Sequence, residues 1–356
     1  MAKRVLLTGV GGFIGSHCLQ YWLDNSDYEI IGVDSFRHKG YGSRIEEIKT
    51  QVGTDTFYQR VRLYSHDLTV PIDPPLENLI MARRLDDRGV VNEKPIDVIV
   101  NMASDSAVER STSDPTHCLR NNFELEVNML ELARRIKPRL FLQISTDEVY
   151  GEAPPLPSPG HQEWDTIMPS NPYAASKAAQ EALAIAYWRT YDVPVVITNT
   201  MNIIAEMQDP EKFLPKIIQF VATGKEMPVY ADKIGDDWHI GSRVYLDAKN
   251  KADAILFLMK HNASRYSHGA KRPDRYNICG ENELNNLELA QLVAKIMGKE
   301  LNYKLIPSES ARPGYDRRYA LDGAKLRNLG WVAPIPFEET IQRIVNWTLK
   351  QQEWLI

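Results

Sequence analysis

Arg4-Val-Leu-Leu-Thr-Gly-Val-Gly-Gly-Phe-Ile-Gly15 decides the fold of this chain. The apolar residues at its start predict a strand, and the residues from about Gly12 to Asp24 predict a helix. Between them, glycines at positions 9, 12 and 15 have the spacing of a dinucleotide-binding turn. Such glycines let the backbone turn sharply and let a pyrophosphate approach the helix N-terminus, where free N–H groups and the helix dipole favour negative charge.

The next two predicted strands end in carboxylates. Glu29–Val33 is followed by Asp34, which is placed to accept hydrogen bonds from the ribose hydroxyls of an adenosine. A carboxylate there repels a 2′-phosphate, so NAD is favoured over NADP, although the cation Arg37 lies close by in the sequence. The third strand, Val61–Tyr64, leads to Asp67, which is placed to meet the adenine.

Strands and helices continue to alternate up to Thr200. Alternation of this kind predicts a doubly wound parallel sheet of the Rossmann type, with ligands at the carboxyl ends of the strands. The backbone at Ala103 is then expected beside the cofactor, with Ser104, Asp105 and Ser106 facing a polar substrate. The predicted strands are Ile96–Met102, Leu140–Ser145 and Val193–Thr200, and the predicted helices are Thr116–Ile136 and Tyr173–Tyr191.

Tyr173 and Lys177 are predicted to share one face of a helix, because residues i and i+4 are neighbours there. An ammonium close to a phenol favours the phenolate and lowers its pKa. Tyr173 then becomes a usable base near neutral pH. Alone, the same spacing is equally typical of a solvated helix face.

Gln143-Ile-Ser-Thr-Asp-Glu-Val-Tyr-Gly151 provides further reactive groups at the end of a predicted strand. Thr146 offers a hydroxyl, and Asp147 and Glu148 are adjacent carboxylates. Two carboxylates in different surroundings can divide the roles of acid and base. Read together with Tyr173 and Lys177, this stretch predicts an active site.

The remaining segments give weaker signals. Residues 35–60 receive no assignment, and a helix is predicted near Leu76–Arg88. Met227–Tyr230 is predicted as a short edge strand, and Ile234–Ser242 as a polar insertion. We predict an NAD-binding domain over 1–201 plus 244–280, and a smaller mixed α/β C-terminal domain for the substrate over 202–243 plus 281–356. Arg243 and Arg312 are the cations expected on a substrate pyrophosphate.

Composition limits the classes of function. The chain has 356 residues and a net charge of −5, so no nucleic-acid partner is expected. No apolar run reaches the roughly 18 residues that span a bilayer, and no membrane partner is expected. Three widely spaced cysteines show no metal-type spacing, which predicts no metal site and a reducing, cytoplasmic location.

The chain resembles the extended short-chain dehydrogenases/reductases, and among them the dTDP-glucose 4,6-dehydratases. The resemblance covers nearly the whole chain. Its general features are the glycine turn, Asp34 and Tyr173-x3-Lys177. The specific motifs are Ser145-Thr-Asp-Glu-Val-Tyr-Gly151, Asn171-Pro-Tyr-Ala-Ala-Ser-Lys177, Pro210-Glu-Lys-Phe-Leu-Pro215, Tyr276-Asn-Ile-Cys-Gly280 and Arg312-Pro-Gly-Tyr-Asp-Arg-Arg-Tyr319.

The resemblance implies a hydro-lyase reaction on a nucleotide sugar with bound NAD. Tyr173, with Lys177 and Thr146, would take the C4 hydroxyl proton. Glu148 would remove the C5 proton while Asp147 protonates the departing C6 hydroxyl. The resemblance implies a substrate set of Asn202, Lys212, Phe213, Pro228, Tyr230, Arg243, Arg312 and Tyr319, and a cofactor set that also includes Phe13, Ile14, Leu68 and Met102. It also implies a homodimer built on the helices Thr116–Ile136 and Tyr173–Tyr191.

Three segments depart from the pattern of the dehydratases. They are Ala103-Ser-Asp-Ser-Ala-Val-Glu-Arg110, where Ala107 replaces a histidine, Asn202-Ile-Ile-Ala-Glu206, and Arg243-Val-Tyr-Leu246. All lie around the expected sugar and nucleotide. dTDP-glucose is therefore the first expectation for the substrate, with a UDP-sugar 4,6-dehydratase, a 4-epimerase or a decarboxylase of the same fold as alternatives. A non-catalytic subunit that senses NAD or a nucleotide is the alternative from another class.

Overall fold

The computed structural model describes residues 3–85, 91–261, 270–308, 316–351 and 354. Their strands are β1 (Arg4–Thr8), β2 (Glu29–Asp34), β3 (Val61–Ser65), β4 (Arg84–Leu85), β5 (Val91–Asn92), β6 (Val98–Asn101), β7 (Leu140–Ile144), β8 (Val195–Thr200), β9 (Ile203–Ile204), β10 (Met227–Ile234), β11 (Asp237–Ile240), β12 (Ser242–Val244), β13 (Leu246–Asp247), β14 (Asp274–Ile278), β15 (Glu283–Asn285), β16 (Tyr303–Pro307) and β17 (Arg318–Tyr319).

The helices of the same residues alternate with these strands in the first half of the chain. They are α1 (Phe13–Asn25), α2 (Tyr41–Val52), α3 (Thr54–Arg60), α4 (Pro74–Ile80), α5 (Val108–Ser113), α6 (Pro115–Ile136), α7 (Pro172–Tyr191), α8 (Phe213–Thr223), α9 (Ala248–His261), α10 (Asn286–Ile296), α11 (Ala324–Asn328) and α12 (Phe337–Lys350), with a 3-10 turn at Asp147–Tyr150. No helix in these ranges is both long and apolar enough to cross a membrane.

The largest sheet has seven strands in the order β14-β8-β7-β6-β1-β2-β3. The chain runs outward from β1 to β3, then returns to the other side of β1 with β6. The parallel pairings of β1 with both β2 and β6 create a switch point between β1 and β6, where doubly wound sheets bind ligands. The predicted fold class is confirmed.

Burial explains why these residues form a parallel sheet. Every residue of β1, β6, β7 and β8 is buried, as expected for strands covered by helices on both faces. Leu6, Ile99 and Phe141 of the sheet share one hydrophobic core with Met129 and Leu130 of α6. Burying apolar surface of this kind stabilises the folded state by about 25 cal/mol per Å².

The chain divides into two compact units. The first contains residues 1–146, 172–199 and 252–276, and the second contains 147–171, 200–251 and 277–356. Residues 147–171, which the predicted boundaries assign to the NAD-binding domain, thus cluster with the second unit. The assignment of one domain to the cofactor and the other to the substrate stays a prediction.

The second unit has its own core beneath small sheets. Ile217 and Ile218 of α8, Val293 of α10, and Ile344 and Val345 of α12 pack in one hydrophobic cluster. These helices cover two three-stranded sheets, with strand orders β11-β10-β16 and β15-β12-β17. The mixed α/β character expected of this part of the chain is present.

Several local predictions are wrong. Met227–Tyr230 begins β10, which lies in the middle of its sheet and not at the edge. The supposed insertion at 234–242 contains β11, which pairs antiparallel with β10 across a turn at Gly235, where φ is +64°. The helix expected to Arg88 ends at Ile80, and residues 86–90 lie outside the described ranges.

Candidate functional site

The glycine turn closes tightly between β1 and α1. Gly9 has φ +69°, and its carbonyl accepts a hydrogen bond from the Gly12 N–H at 3.1 Å. A Cβ on Gly15 would lie 2.0 Å from the Gly9 oxygen, so only glycine fits there. Gly12 caps α1 without a side-chain hydrogen bond, which leaves N–H groups at the helix N-terminus for an anion. Phe13 and Ile14 are the first residues of that helix.

Thr8 holds the two strand ends together at the switch point. Its hydroxyl oxygen accepts from the N–H groups of Met102 and Ala103 at 2.9 and 3.0 Å. A Cβ on Gly9 would lie 3.0 Å from the Ala103 Cα, so the two backbones are in close contact. Met102 and Ala103 thus border the glycine turn, and their contact with a cofactor stays a prediction.

Asp34 is fixed at the end of β2 by two backbone groups. Its carboxylate accepts from the N–H of Gly11 at 2.9 Å and of Phe36 at 2.8 Å. The Gly11 contact joins Asp34 directly to the glycine turn. A carboxylate accepts more than two hydrogen bonds, so this geometry remains compatible with ribose binding.

Arg37 pairs with Asp67 at 2.6 Å. Burial of Asp67 acts to raise its pKa, but hydrogen bonds from Thr69 and the Arg37 guanidinium lower the pKa below its ordinary value. The Arg37 guanidinium is thus paired with a carboxylate in this structure. Leu68, the next residue, is buried in the core.

Asp105 is anchored from both sides. Its backbone N–H donates to the Asn122 side chain at 2.7 Å, and its carbonyl accepts from Asn122 at 3.0 Å. Its carboxylate forms an ion pair with Arg110. Ser104 is half-buried and Ser106 is exposed beside it, so these two hydroxyls are the more accessible of the three predicted substrate contacts.

Lys177 lies in a buried polar pocket on α7. Its ammonium donates to the Ile144 carbonyl at 2.7 Å and to Gln180 Oε1 at 2.6 Å, and only 3% of the residue is exposed. Burial lowers the pKa of Lys177, and the charge of Glu126 opposes this shift. Tyr173, one turn earlier on the same helix, is half-buried.

The strand β7 ends at the reactive stretch. The Thr146 carbonyl accepts a hydrogen bond from Asn199 at 2.9 Å, which fixes the end of the first unit's strand. In the second unit, Asp147 and Glu148 begin the 3-10 turn. Glu148 accepts from Asn171 Nδ2 at 2.8 Å, and Asp147 is buried.

Tyr319 lies in the same electrostatic environment as these carboxyls. Burial, followed by the negative charges of Glu148 and Asp316, raises the pKa of the Tyr319 phenol. Its ring stacks on Arg243, whose guanidinium carbon lies 4.1 Å from the ring centroid. The second unit therefore brings Tyr319 and Glu148 together.

Arg243 is buried and donates to three backbone carbonyls. They belong to Ser242 at 2.7 Å, Arg317 at 2.7 Å and Asp316 at 2.8 Å. This arrangement gives Arg243 a structural task next to Tyr319. A phosphate contact by Arg243 stays a prediction, and Arg312, its expected companion, lies outside the described residues.

The other predicted substrate residues lie on separate elements of the second unit. Asn202 donates to the Val244 carbonyl at 3.3 Å, and Lys212 is the N-cap residue of α8, which begins at Phe213. On β10, Pro228 and Tyr230 are half-buried and alternate with the buried residues of that strand. They therefore face away from the core, as a contact with a base requires.

Sequence reasoning missed the buried polar residues behind Lys177. Asn101, Gln143 and Asn199 stand on three neighbouring buried strands, and Glu126 is buried on α6. Polar residues in otherwise apolar strands are a signal that could have identified the first three. Glu126 carries no such signal, because an acid on a helix is usually exposed.

Two curated proteins are similar to the chain along almost its full length. Low-salt glycan biosynthesis protein Agl12 from Haloferax volcanii is 33% identical over 349 residues, which cover 98% of this chain and 99% of that protein. A dTDP-glucose 4,6-dehydratase from Escherichia coli is 30% identical over 385 residues, with 99% and 95% covered.

A solved structure and a family model agree with this similarity. The crystal structure of DesIV, a dTDP-glucose 4,6-dehydratase from Streptomyces venezuelae with NAD bound, superimposes with a TM-score of 0.80 at 27% identity, over 99% of this chain and 98% of that one. The family model for GDP-mannose 4,6 dehydratase matches residues 6–344. The resemblance seen in the motifs is confirmed, and the chain belongs to the GDP-mannose 4,6 dehydratase family within the extended short-chain dehydrogenases/reductases.

Proposed function

We propose that this protein is a hydro-lyase, a nucleotide-sugar 4,6-dehydratase that works with bound NAD. The observation that carries the proposal is the pair of carboxyls at Asp147 and Glu148, set in a fixed turn directly after β7. A 4-epimerase needs proton transfer at the C4 hydroxyl alone. A 4,6-dehydratase must also remove a proton at C5 and protonate the leaving hydroxyl at C6, which requires two more groups.

The residues around the glycine turn fit NAD. The uncapped N-terminus of α1 suits a pyrophosphate, and the close contact of Gly9 with Ala103 keeps side chains out of the cofactor's path. Asp34 suits the ribose hydroxyls. NAD, when bound, supplies the acceptor for a hydride from C4 and its later donor to C6.

Tyr173, Lys177 and Thr146 act at the C4 hydroxyl in this proposal. The Lys177 ammonium stabilises the phenolate of Tyr173, which takes the proton from the hydroxyl. Because Lys177 is buried and hydrogen-bonded to Ile144 and Gln180, its position is fixed before substrate binds. The Thr146 hydroxyl serves as a hydrogen-bond partner of the same sugar oxygen.

Glu148 and Asp147 divide the elimination step. A ketone at C4 makes the neighbouring C5 proton acidic, and Glu148 removes it. Asp147 gives a proton to the C6 hydroxyl, so that the C–O bond breaks and water leaves. The hydrogen bond from Asn171 to Glu148 stabilises the carboxylate form, which is the form a base needs.

The substrate is proposed to be dTDP-glucose. Two dTDP-glucose 4,6-dehydratases from Escherichia coli support this choice, because each is 30% identical to this chain over 99% of its length. A trifunctional UDP-glucose 4,6-dehydratase from Arabidopsis thaliana is 29% identical, with 48% of that protein covered, which keeps UDP-glucose as the alternative. The outward face of β10, with Pro228 and Tyr230, is the proposed contact with the base.

We propose further that two copies associate and that the protein works in the cytoplasm. Leu119 and Phe123 of α6 are 39% and 47% exposed in the single chain, which suits an interface between two copies. Cys18, Cys118 and Cys279, all within the described residues, are buried and form no disulfide, as a reducing compartment allows.

Replacing Glu148 by Gln tests the elimination step. We expect the loss of water to slow by at least about 10²-fold, because the base at C5 is gone, while the first hydride transfer persists. Reduced nicotinamide should then accumulate, visible by absorbance after mixing with dTDP-glucose. Glu281→Gln, an exposed acid of the same unit, is the matched control and should turn over normally. Unchanged dehydration in Glu148→Gln would remove Glu148 from this role.

A further inference from the structure

Glu126 places a carboxyl on the buried face of α6. It lies on the face of α6 that packs inward, with 0% exposure, between Leu125 and Met129 of the core. Burying a carboxyl costs several kcal/mol unless charge and hydrogen bonds compensate, so an apolar residue would serve the fold better. The fold alone gives no reason for Glu126.

Three amide side chains join Glu126 to Lys177. Asn101 Nδ2 donates to Glu126 Oε2 at 2.8 Å and to Gln143 Oε1 at 3.0 Å. Gln143 Nε2 donates to Gln180 Oε1 at 3.4 Å, and the same oxygen accepts from the Lys177 ammonium at 2.6 Å. The amides are at most 1% exposed, so the connection is shielded from water.

The ends of this bridge are held in place by further hydrogen bonds. Asn101 Oδ1 accepts from the Thr8 hydroxyl at 3.0 Å. Gln180 Nε2 donates to the Asn122 carbonyl at 2.8 Å, and the Asn122 side chain donates to Ser176 at 2.8 Å. Each amide therefore has one orientation, so the hydrogen bonds between the Glu126 carboxyl and the Lys177 ammonium form in one arrangement.

Among the described residues, the titratable groups that act on the pKa of Lys177 are the carboxyls of Glu126 and Glu181 and the thiol of Cys118. Glu181, on the same helix, is already paired with the buried Arg275 and accepts from Asn199 at 2.7 Å. Lys177 is the only cation that acts on Glu126 among the described residues. Glu126 is thus the carboxyl whose charge is available to Lys177.

We propose that Glu126 is a positioning residue whose buried charge, acting through the Asn101–Gln143–Gln180 bridge, keeps Lys177 an ammonium and so extends the pH range over which Tyr173 works as a base. This inference rests on the proposed function, because the role of Lys177 beside Tyr173 belongs to it. Burial raises the pKa of Glu126 and lowers that of Lys177, and each charge opposes the other's shift. When rising pH removes a proton from Glu126, the new carboxylate strengthens the hold of Lys177 on its own proton.

The test compares Glu126→Gln with the parent protein in the pH profile of kcat. Gln keeps the size and a hydrogen-bonding oxygen but has no charge. The lowering of the Lys177 pKa by burial is then no longer opposed by a negative charge at this position. Loss of an opposite charge lowers the pKa of an ammonium, so we expect the alkaline limb to move down by about one pH unit. Glu124→Gln, on the exposed face of the same helix, should reproduce the parent profile. Glu126→Asp, which keeps the charge, should lie close to it.

Infrared spectroscopy gives a second readout that needs no substrate. The parent protein should show the carbonyl band of a buried protonated carboxyl that disappears as pH rises, and the band should be absent in Glu126→Gln and shifted in Glu126→Asp. A variant that loses activity equally at every pH, or an infrared titration that is the same in parent and variants, would overturn the proposal. If no nucleotide sugar turns over at all, the proposed function fails, and the infrared titration still decides the state of Glu126.

Discussion

Gly15 lies where the backbone of the glycine turn passes closest to itself. A Cβ there would lie 2.0 Å from the Gly9 oxygen and 3.1 Å from the Val10 Cα, so an alanine forces the turn to open. The spacing of the glycines predicted this turn without coordinates. The reason is local: few backbones other than a glycine turn can connect a strand so tightly to a helix.

Replacing Gly15 by Ala should therefore abolish tight binding of NAD. We expect the Kd for NAD, measured by isothermal calorimetry, to rise by at least tenfold, because the N–H groups of α1 no longer point at one place. Gly42→Ala is the matched control, since a Cβ on Gly42 meets nothing within 4 Å in α2. It should keep the parent Kd and raise stability by about 0.5 kcal/mol. Parent affinity in Gly15→Ala would contradict this account of the turn.

The buried polar residues around Lys177 were harder to foresee than the proposed catalytic residues. Tyr173, Lys177, Asp147 and Glu148 carry reactive groups in recognisable spacings. Glu126 contributes only through buried neighbours on other strands, and its sequence context is an ordinary amphipathic helix. Which face of a helix turns inward depends on tertiary packing, and one acid does not reveal it.

At the scale of elements, α6 has an exposed face and a buried face. Leu119 and Phe123 of this helix are exposed in the single chain. The inward face instead carries Asn122 and Glu126 among apolar residues. The helix was predicted to within one residue, from Thr116 against the observed Pro115, while the identity of its buried face was not.

The outer face of α6 predicts the state of association. Leu119 and Phe123 are one turn apart on the same side, so replacing both by Glu should place two charges in the proposed interface between copies. We expect the parent protein to be a dimer and this double variant a monomer, by light scattering at micromolar concentration. Val332→Glu, at a site 69% exposed on another element, should stay a dimer. A monomeric parent would contradict the proposal.

Other elements escaped prediction for identifiable reasons. Residues 41–60 form α2 and α3, but their sequence is polar and offers few buried residues, among them Ile48 and Phe57. The hairpin of β10 and β11 was missed because β11 has no buried residue and so shows no apolar core-facing pattern. Its turn at Gly235 was a usable signal.

At the scale of the whole molecule, the doubly wound order of the sheet follows from alternation alone. The second unit depends on contacts between distant segments, which no local pattern reveals. Its clearest example is Arg343 of α12, which donates to Glu206 at 2.6 Å and to Asp247 at 2.6 Å. Burial acts to raise the pKa of Glu206, but hydrogen bonds and charge from Arg343 lower it below the ordinary value.

Replacing Arg343 by Met removes the guanidinium from the buried Asp247 and from the half-buried Glu206, which keeps Lys249 at 4.0 Å. We expect a loss of about 3 kcal/mol in the free energy of unfolding at pH 7, measured by urea denaturation. A lowered folded-state pKa stabilises the protein above the unfolded pKa near 4.5, and this contribution is lost as pH falls through the folded value. The difference between parent and variant should therefore narrow at pH 4. Arg134→Met, which breaks an exposed pair with Glu131, should leave the urea midpoint nearly unchanged. An equal difference at both pH values would contradict the assignment.

The central claim is that this chain removes water from a nucleotide sugar by way of a proton lost at C5. It is tested most directly by mass spectrometry after incubation in heavy water with dTDP-glucose and, in parallel, UDP-glucose and UDP-N-acetylglucosamine. The account predicts a product lighter by one water that carries deuterium at C5, with dTDP-glucose as the preferred donor. Inversion at C4 by NMR without loss of mass would contradict it and identify an epimerase, and no change with any donor would leave a family member without this activity.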